Sequence, residues 1–126
     1  MQVKPNAILP MQSSQDLSEK EGYFIKKDGT LVTAATDVPH GLILDGEKSG
    51  FAAVAVPGGF AGTAHVKLGP TPGTVDVGTY LVLNADGSAN ADTGAGARVR
   101  VAKATQAGTG DELIEAVIFD PVVFTA

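Results

Sequence analysis

The sequence predicts an all-β fold: a small β-barrel or sandwich built from two similar β-units, preceded by an extended N-terminal arm. Three observations carry this expectation. Asp28-Gly29 and Asp86-Gly87 each separate β-prone runs, the strongest short-range hairpin signal. Ala64-His-Val-Lys-Leu68 and Ala97-Arg-Val-Arg-Val-Ala102 alternate apolar and polar residues, the period of a half-buried strand. With 16 Gly and 7 Pro in 126 residues, the chain is rich in turns, yet 44% hydrophobic residues leave enough apolar surface for one core.

Residues 1–21 read as the arm and 22–126 as the β-domain. Pro5 and Pro10 forbid regular helix and bias Lys4 and Leu9 towards extended backbone. Ser18-Glu-Lys-Glu21 has the spacing of a capping box, but Gly22 follows at once and limits it to one turn. The arm carries an apolar cluster with no partner nearby in sequence. The segment reads either as a frayed terminus or as an arm that becomes ordered on another protein, and on the second reading Val3, Pro5, Ile8, Leu9, Pro10 and Met11 are the candidate partner-binding residues.

From Gly22 the elements follow in order. Tyr23-Phe-Ile25 enters the first Asp-Gly turn, expected as type I′, with Leu31-Val-Thr33 returning. Gly41-Leu-Ile-Leu44 reads as a buried strand ended by Asp45-Gly46-Glu47-Lys48, and Phe51-Ala-Ala-Val-Ala-Val56 stops at Pro57. Gly58-Gly-Phe-Ala-Gly62 is a loop. Ala64 to Leu68 is a half-solvated strand, and Thr79-Tyr-Leu-Val-Leu83 meets the second Asp-Gly turn. Alternation from Ala97 to Ala102 puts Val99 and Val101 on one face and Arg98 and Arg100 on the other. Between Asp111 and Phe119 a helix competes, but Ile114, Val117, Ile118 and Phe119 favour strand, with Val122 to Phe124 following Pro121.

These elements repeat with a period of roughly 60 residues, longer than solenoid repeats, so a duplicated β-unit is expected. Tyr23 to Thr30 resembles Tyr80 to Ser88, Ala34-Ala-Thr-Asp37 resembles Ala89-Asn-Ala-Asp92, and Gly41–Leu44 resembles Arg98–Val101. Phe51–Val56 resembles Leu113–Ile118.

Motifs for chemistry are scarce. The chain has no Cys, which removes disulfides, thiolate metal sites and cysteine nucleophiles. Its two histidines, His40 and His65, lack metal-ligand spacing and read as surface or loop residues. Ser49-Gly50 is not a nucleophile elbow, and neither glycine run continues into a phosphate-binding Lys-Ser or Lys-Thr. Asn84 to Asp92 offers alternating oxygens but lacks the closing Glu of a calcium loop. No cofactor or metal is expected, and no enzymatic activity. A net charge of −5 argues against nucleic-acid binding, and no apolar run is long enough for a membrane span. The start, Met1 to Pro10, lacks the apolar core of a secretory signal, so a soluble protein made in a cytoplasm is expected.

The run from Leu17 to Leu44 (LSEKEGYFIKKDGTLVTAATDVPHGLIL) resembles the small capsid cement, or head decoration, proteins of tailed bacteriophages. There a strand and turn are followed by a short Ala/Thr/Asp segment, then Pro-x-Gly and an apolar strand. Gly78–Gly87, the Ala/Gly-rich linker, Arg98–Ala102 and Glu112–Ile118 are similar too, so the likeness spans residues 17–119. It implies a β-barrel-like structural protein, often a trimer, on the capsid exterior of a virion assembled in the bacterial cytoplasm. Its partner would be the major capsid protein, whose lattice it would clamp against internal pressure. A receptor- or glycan-binding β-module of a phage fibre or cell surface is the alternative.

Overall fold

A computed structural model describes residues 8–57 and 62–125. All nine strands pair antiparallel, and the described residues contain no helix. The first sheet holds β1 (Ile8–Gln12), β2 (Phe24–Ile25), β3 (Gly41–Gly46) and β4 (Phe51–Ala55) in the order β1-β4-β3-β2. The second holds β5 (Ala64–Lys67), β6 (Tyr80–Leu83), β7 (Ala89–Ala91), β8 (Arg98–Ala104) and β9 (Leu113–Phe124) in the order β5-β9-β8-β6-β7. An isolated bridge from Leu31 to Ile25 occupies the place of β7 in the first sheet. The two orders are then the same, so the chain is two copies of one β-unit.

Hydrogen bonds fix the equivalence residue by residue. Gly22 N–H donates to the Ile43 carbonyl and Ile43 N–H to Tyr23; Gly78 N–H donates to Ala104 and Ala104 N–H to Thr79. Both glycines have positive φ, 85° and 93°, a conformation that costs glycine little. Across the sheets, Phe24 faces Leu42 and Leu42 faces Ala55, while Tyr80 faces Lys103 and Lys103 faces Val117. Phe51 corresponds to Leu113, as the sequence comparison has it. In the middle of each unit the sequence tokens are out of step: Leu31, not Ala34, takes the place of Ala89, and Gly41 corresponds to Ala102.

Both Asp-Gly turns form hairpins of one geometry, which differs from the expected type I′. Gly29 N–H bonds to Lys26 O and Lys26 N–H to Thr30 O; Gly87 N–H bonds to Asn84 O and Asn84 N–H to Ser88 O. Only the glycines have positive φ, 87° and 91°. Each loop is thus a type I turn closed by a left-handed glycine. The aspartate explains the choice. Asp28 Oδ1 accepts bonds from Thr30 N–H at 3.0 Å and its hydroxyl at 2.6 Å, and Asp86 does the same for Ser88. That side-chain bond to the backbone two residues on favours right-handed backbone at the aspartate.

The larger core joins both units, from Phe24, Leu42 and Ala55 of the first to Val66, Leu81 and Ile114 of the second. A smaller core, made of Leu17, Ile25, Ile43, Ala52 and Val54, lies on the opposite face of the first sheet. The sheets are stitched where Lys67 N–H meets Gly22 O and Phe24 N–H meets Gly87 O. The segment from Asp111 to Phe119 is strand, as expected, and β9 continues unbroken through Pro121 to Phe124. A register shift opposite Val101 absorbs the proline, which cannot donate to the ladder.

Candidate functional site

The candidate site is the leading strand and the sheet edge that it forms. Ile8 to Gln12 pairs with Ala55 to Phe51, so Pro10 faces Ala53 and Met11 faces Ala52. Strand alternation turns Leu9 and Met11 towards the smaller core, where Met11 is half-buried against it. Ile8, Leu9 and Pro10 remain exposed, Ile8 and Leu9 to 46% and 47%. The outer edge of β1 carries no strand among the described residues, and Pro10 has no N–H to offer there. Val3 and Pro5 of the expected contact cluster lie outside the described residues.

The composition break at Gly22 is not a break in the packing. After β1 the chain runs over the first sheet and is held at each step. Ser13 N–H donates to Gly50 O, Gln12 Nε2 to Ser49 O, Leu17 N–H to Glu47 O, and Leu31 N–H to Gln15 Oε1. Ser13 is buried, and Leu17 is wholly so. Glycine makes this approach feasible: a methyl group on Gly46 would strike the Leu17 carbonyl, and one on Gly50 the Ser13 carbonyl. Residues 8–17 are thus part of the body, with one apolar side inward and another left outward.

A second surface was not foreseen from the sequence. On the outer face of the second sheet, Asp92 is only 5% exposed and holds two arginines. Its Oδ1 accepts from Arg98 Nε at 2.6 Å and from Gly94 N–H at 2.8 Å; its Oδ2 accepts from Arg100 Nη2 at 2.6 Å. Burial opposes ionisation, but the hydrogen bonds from Arg100, Gly94 and Arg98 outweigh it and hold the carboxyl below its ordinary value. The guanidinium of Arg98 stacks 4.2 Å from the Phe124 ring and that of Arg100 4.1 Å from the Tyr80 ring. Arg98 and Arg100 do share the outward face that alternation gave them; the clamp depends on Asp92, which the sequence offered only as a loop oxygen.

The residues weighed for catalysis lie apart. His40 enters β3, its backbone N–H bonded to Ile25 O. His65 is on β5, half-exposed, with Nδ1 3.4 Å from the Glu21 carboxylate. Asp86 is engaged by Ser88, and Ser49 presents its carbonyl to Gln12. Among the described residues no three His, Cys, Asp or Glu side chains converge on a point that could hold a metal. A concavity of about 520 Å³, open to solvent, is lined by Thr74, Asp76, Thr109 and Glu112 among others. Glu112 there accepts from Thr109 N–H and hydroxyl, and these bonds hold its carboxyl below the ordinary value.

No family model matches the chain, and no curated protein matches its sequence.

Proposed function

We propose that this chain is a capsid decoration protein, a homotrimeric cement subunit that binds the outside of a phage head and stabilises the lattice of the major capsid protein. The observation that carries the reading is the leading strand. It displays Ile8, Leu9 and Pro10 on an open sheet edge, while its inner side is fixed to a well-packed body. Such a strand can lay apolar side chains in a groove of another protein with little ordering cost. The resemblance over residues 17–119 supplies the kind of partner. A net charge of −5 suits the exterior of a shell, where no contact with packaged DNA is needed. On a lattice, many weak contacts of this kind add up through multivalency. The protein then acts by contact rather than by transforming a substrate.

The test is to titrate purified protein onto emptied, expanded phage heads and measure the bound ratio and the heat resistance of the heads. Saturation at a fixed ratio to the capsid protein, with more resistant heads, is expected. Ile8→Glu, on the side of the strand turned away from the smaller core, should weaken attachment at least about tenfold, the effect of roughly 1.4 kcal/mol, without altering the melting of the free protein. Indifference to heads, together with specific binding of a glycan by the isolated protein, would instead establish the receptor-binding alternative.

A further inference from the structure

The first sheet holds its leading strand largely through one side chain. β1 pairs with β4 along one edge, and its other edge carries no strand among the described residues. Of the two residues that alternation turns inward, Leu9 is 47% exposed, and Met11 is the one packed against the smaller core. Pro10 between them has no N–H for a ladder. Beyond β1 the chain is held more firmly, by Ser13 N–H on the Gly50 carbonyl and by the wholly buried Leu17. The attachment of residues 8–12 thus turns on a thioether. The chain has no Cys and no Trp, so its sulfur atoms are those of Met1 and Met11, and Met1 lies outside the described residues. Met11 is half-buried on an edge strand rather than sealed in a core, which leaves it open to a small oxidant.

We infer that Met11 is a site of reversible oxidation by peroxides, and that its sulfoxide releases β1 from the first sheet. The sulfur lone pair attacks one peroxide oxygen, the O–O bond breaks, an S–O bond forms and the other oxygen leaves as water. Sulfur is oxidised by two electrons and the peroxide is reduced by them. The product is polar where the thioether was apolar. The five buried members of the smaller core are aliphatic and offer the new oxygen no hydrogen bond. That oxygen regains hydration when β1 turns outward, and the strand goes with it. Release stops at Ser13 and Leu17, whose own contacts do not involve the sulfur. Methionine sulfoxide reductases return the thioether, so the change is a switch rather than a lesion. The inference rests on the packing of β1 and not on the decoration reading, and it is read on the free protein.

Amide hydrogen exchange read by mass spectrometry, on the full chain before and after native treatment with hydrogen peroxide, provides the test. Peptide mapping should place one added oxygen on Met11. Exchange in residues 8–12 should then become at least about tenfold faster, with β3 and β8 as in untreated protein. Incubation with methionine sulfoxide reductases should restore slow exchange. Met11→Leu conserves volume and should keep β1 slow to exchange both before and after peroxide, which separates Met11 from Met1. A Met11 that takes up oxygen only once urea has unfolded the chain would overturn the inference. So would a fully oxidised Met11 with unchanged exchange in β1, equal loosening of the Met11→Leu variant by peroxide, or loosening that spreads to β8.

Discussion

Replacing Leu17 by Ala tests whether the segment before Gly22 belongs to the folded body. Leu17 has no exposed surface and is one of five fully buried members of the smaller core among the described residues. Its backbone is fixed by the bond from its N–H to Glu47 O and by contact with Gly46, so the segment cannot easily sink to fill a void. Deleting a Leu side chain at such a site costs about 3 kcal/mol, within the usual range of roughly 2–5. A chain of 126 residues unfolds with an entropy of about 0.26 kcal/mol/K, so Tm should fall by roughly 10 °C. Differential scanning calorimetry reads this directly. Leu17→Met conserves volume and should cost less than about 1.5 kcal/mol, which separates cavity formation from general intolerance. A loss below about 3 °C for Leu17→Ala would mean that residues 8–17 are only loosely attached, and the packing account would be wrong.

Three further outcomes follow from the same contacts. Gly29→Val and Gly87→Val force a β-branched residue to a φ near 90°, and each new Cβ would crowd a carbonyl, that of Gln12 at 3.1 Å or Phe24 at 3.0 Å; each should cost at least about 1–3 kcal/mol in urea unfolding, and an unchanged midpoint for both would contradict the turn assignment. Asp92→Ala leaves two guanidiniums without their shared acceptor and should destabilise by roughly 1–3 kcal/mol; an unchanged urea midpoint would show that the clamp is not structural. Asp16, Asp28, Asp37, Asp92 and Glu112 all have carboxyl pKa values lowered in the folded state. Depressed pKa values contribute stability above the unfolded value, near 4, that is lost as pH falls through the folded value. Stability should therefore hold from pH 7 to 5 and decline below about pH 4; a decline already complete at pH 5 would contradict this assignment to the carboxylates.

The legible part of the fold was local. Two Asp-Gly turns, two alternating runs and the match of Phe51–Val56 to Leu113–Ile118 were sufficient to expect paired β-units, because each signal lies within a few residues of its effect. The turn type was missed because Asp-Gly also serves a loop in which aspartate caps the residue after glycine and only the glycine turns left-handed. The leading segment was misjudged for a different reason. Its partner strand, Phe51–Ala55, lies about forty residues away, and no periodicity within Ile8–Gln12 announces a long-range pairing. A faint signal existed: Gly46 and Gly50 bracket a polar loop and clear room for the chain bearing Ser13 and Leu17. Of the apolar residues at 8–11, Met11 packs against the smaller core within the chain itself. The Asp92 clamp lies within residues 92–100, but nothing in that window announces that the loop after β7 folds its carboxylate back over the outward face of β8.

Shell binding is the claim on which the functional account stands, and quantitative cryo-electron microscopy of heads mixed with excess protein addresses it most directly. The account predicts density at every equivalent lattice position, with β1 at the contact with the capsid protein. Bare lattices at saturating concentration, or full occupancy with β1 pointing into solvent, would contradict it.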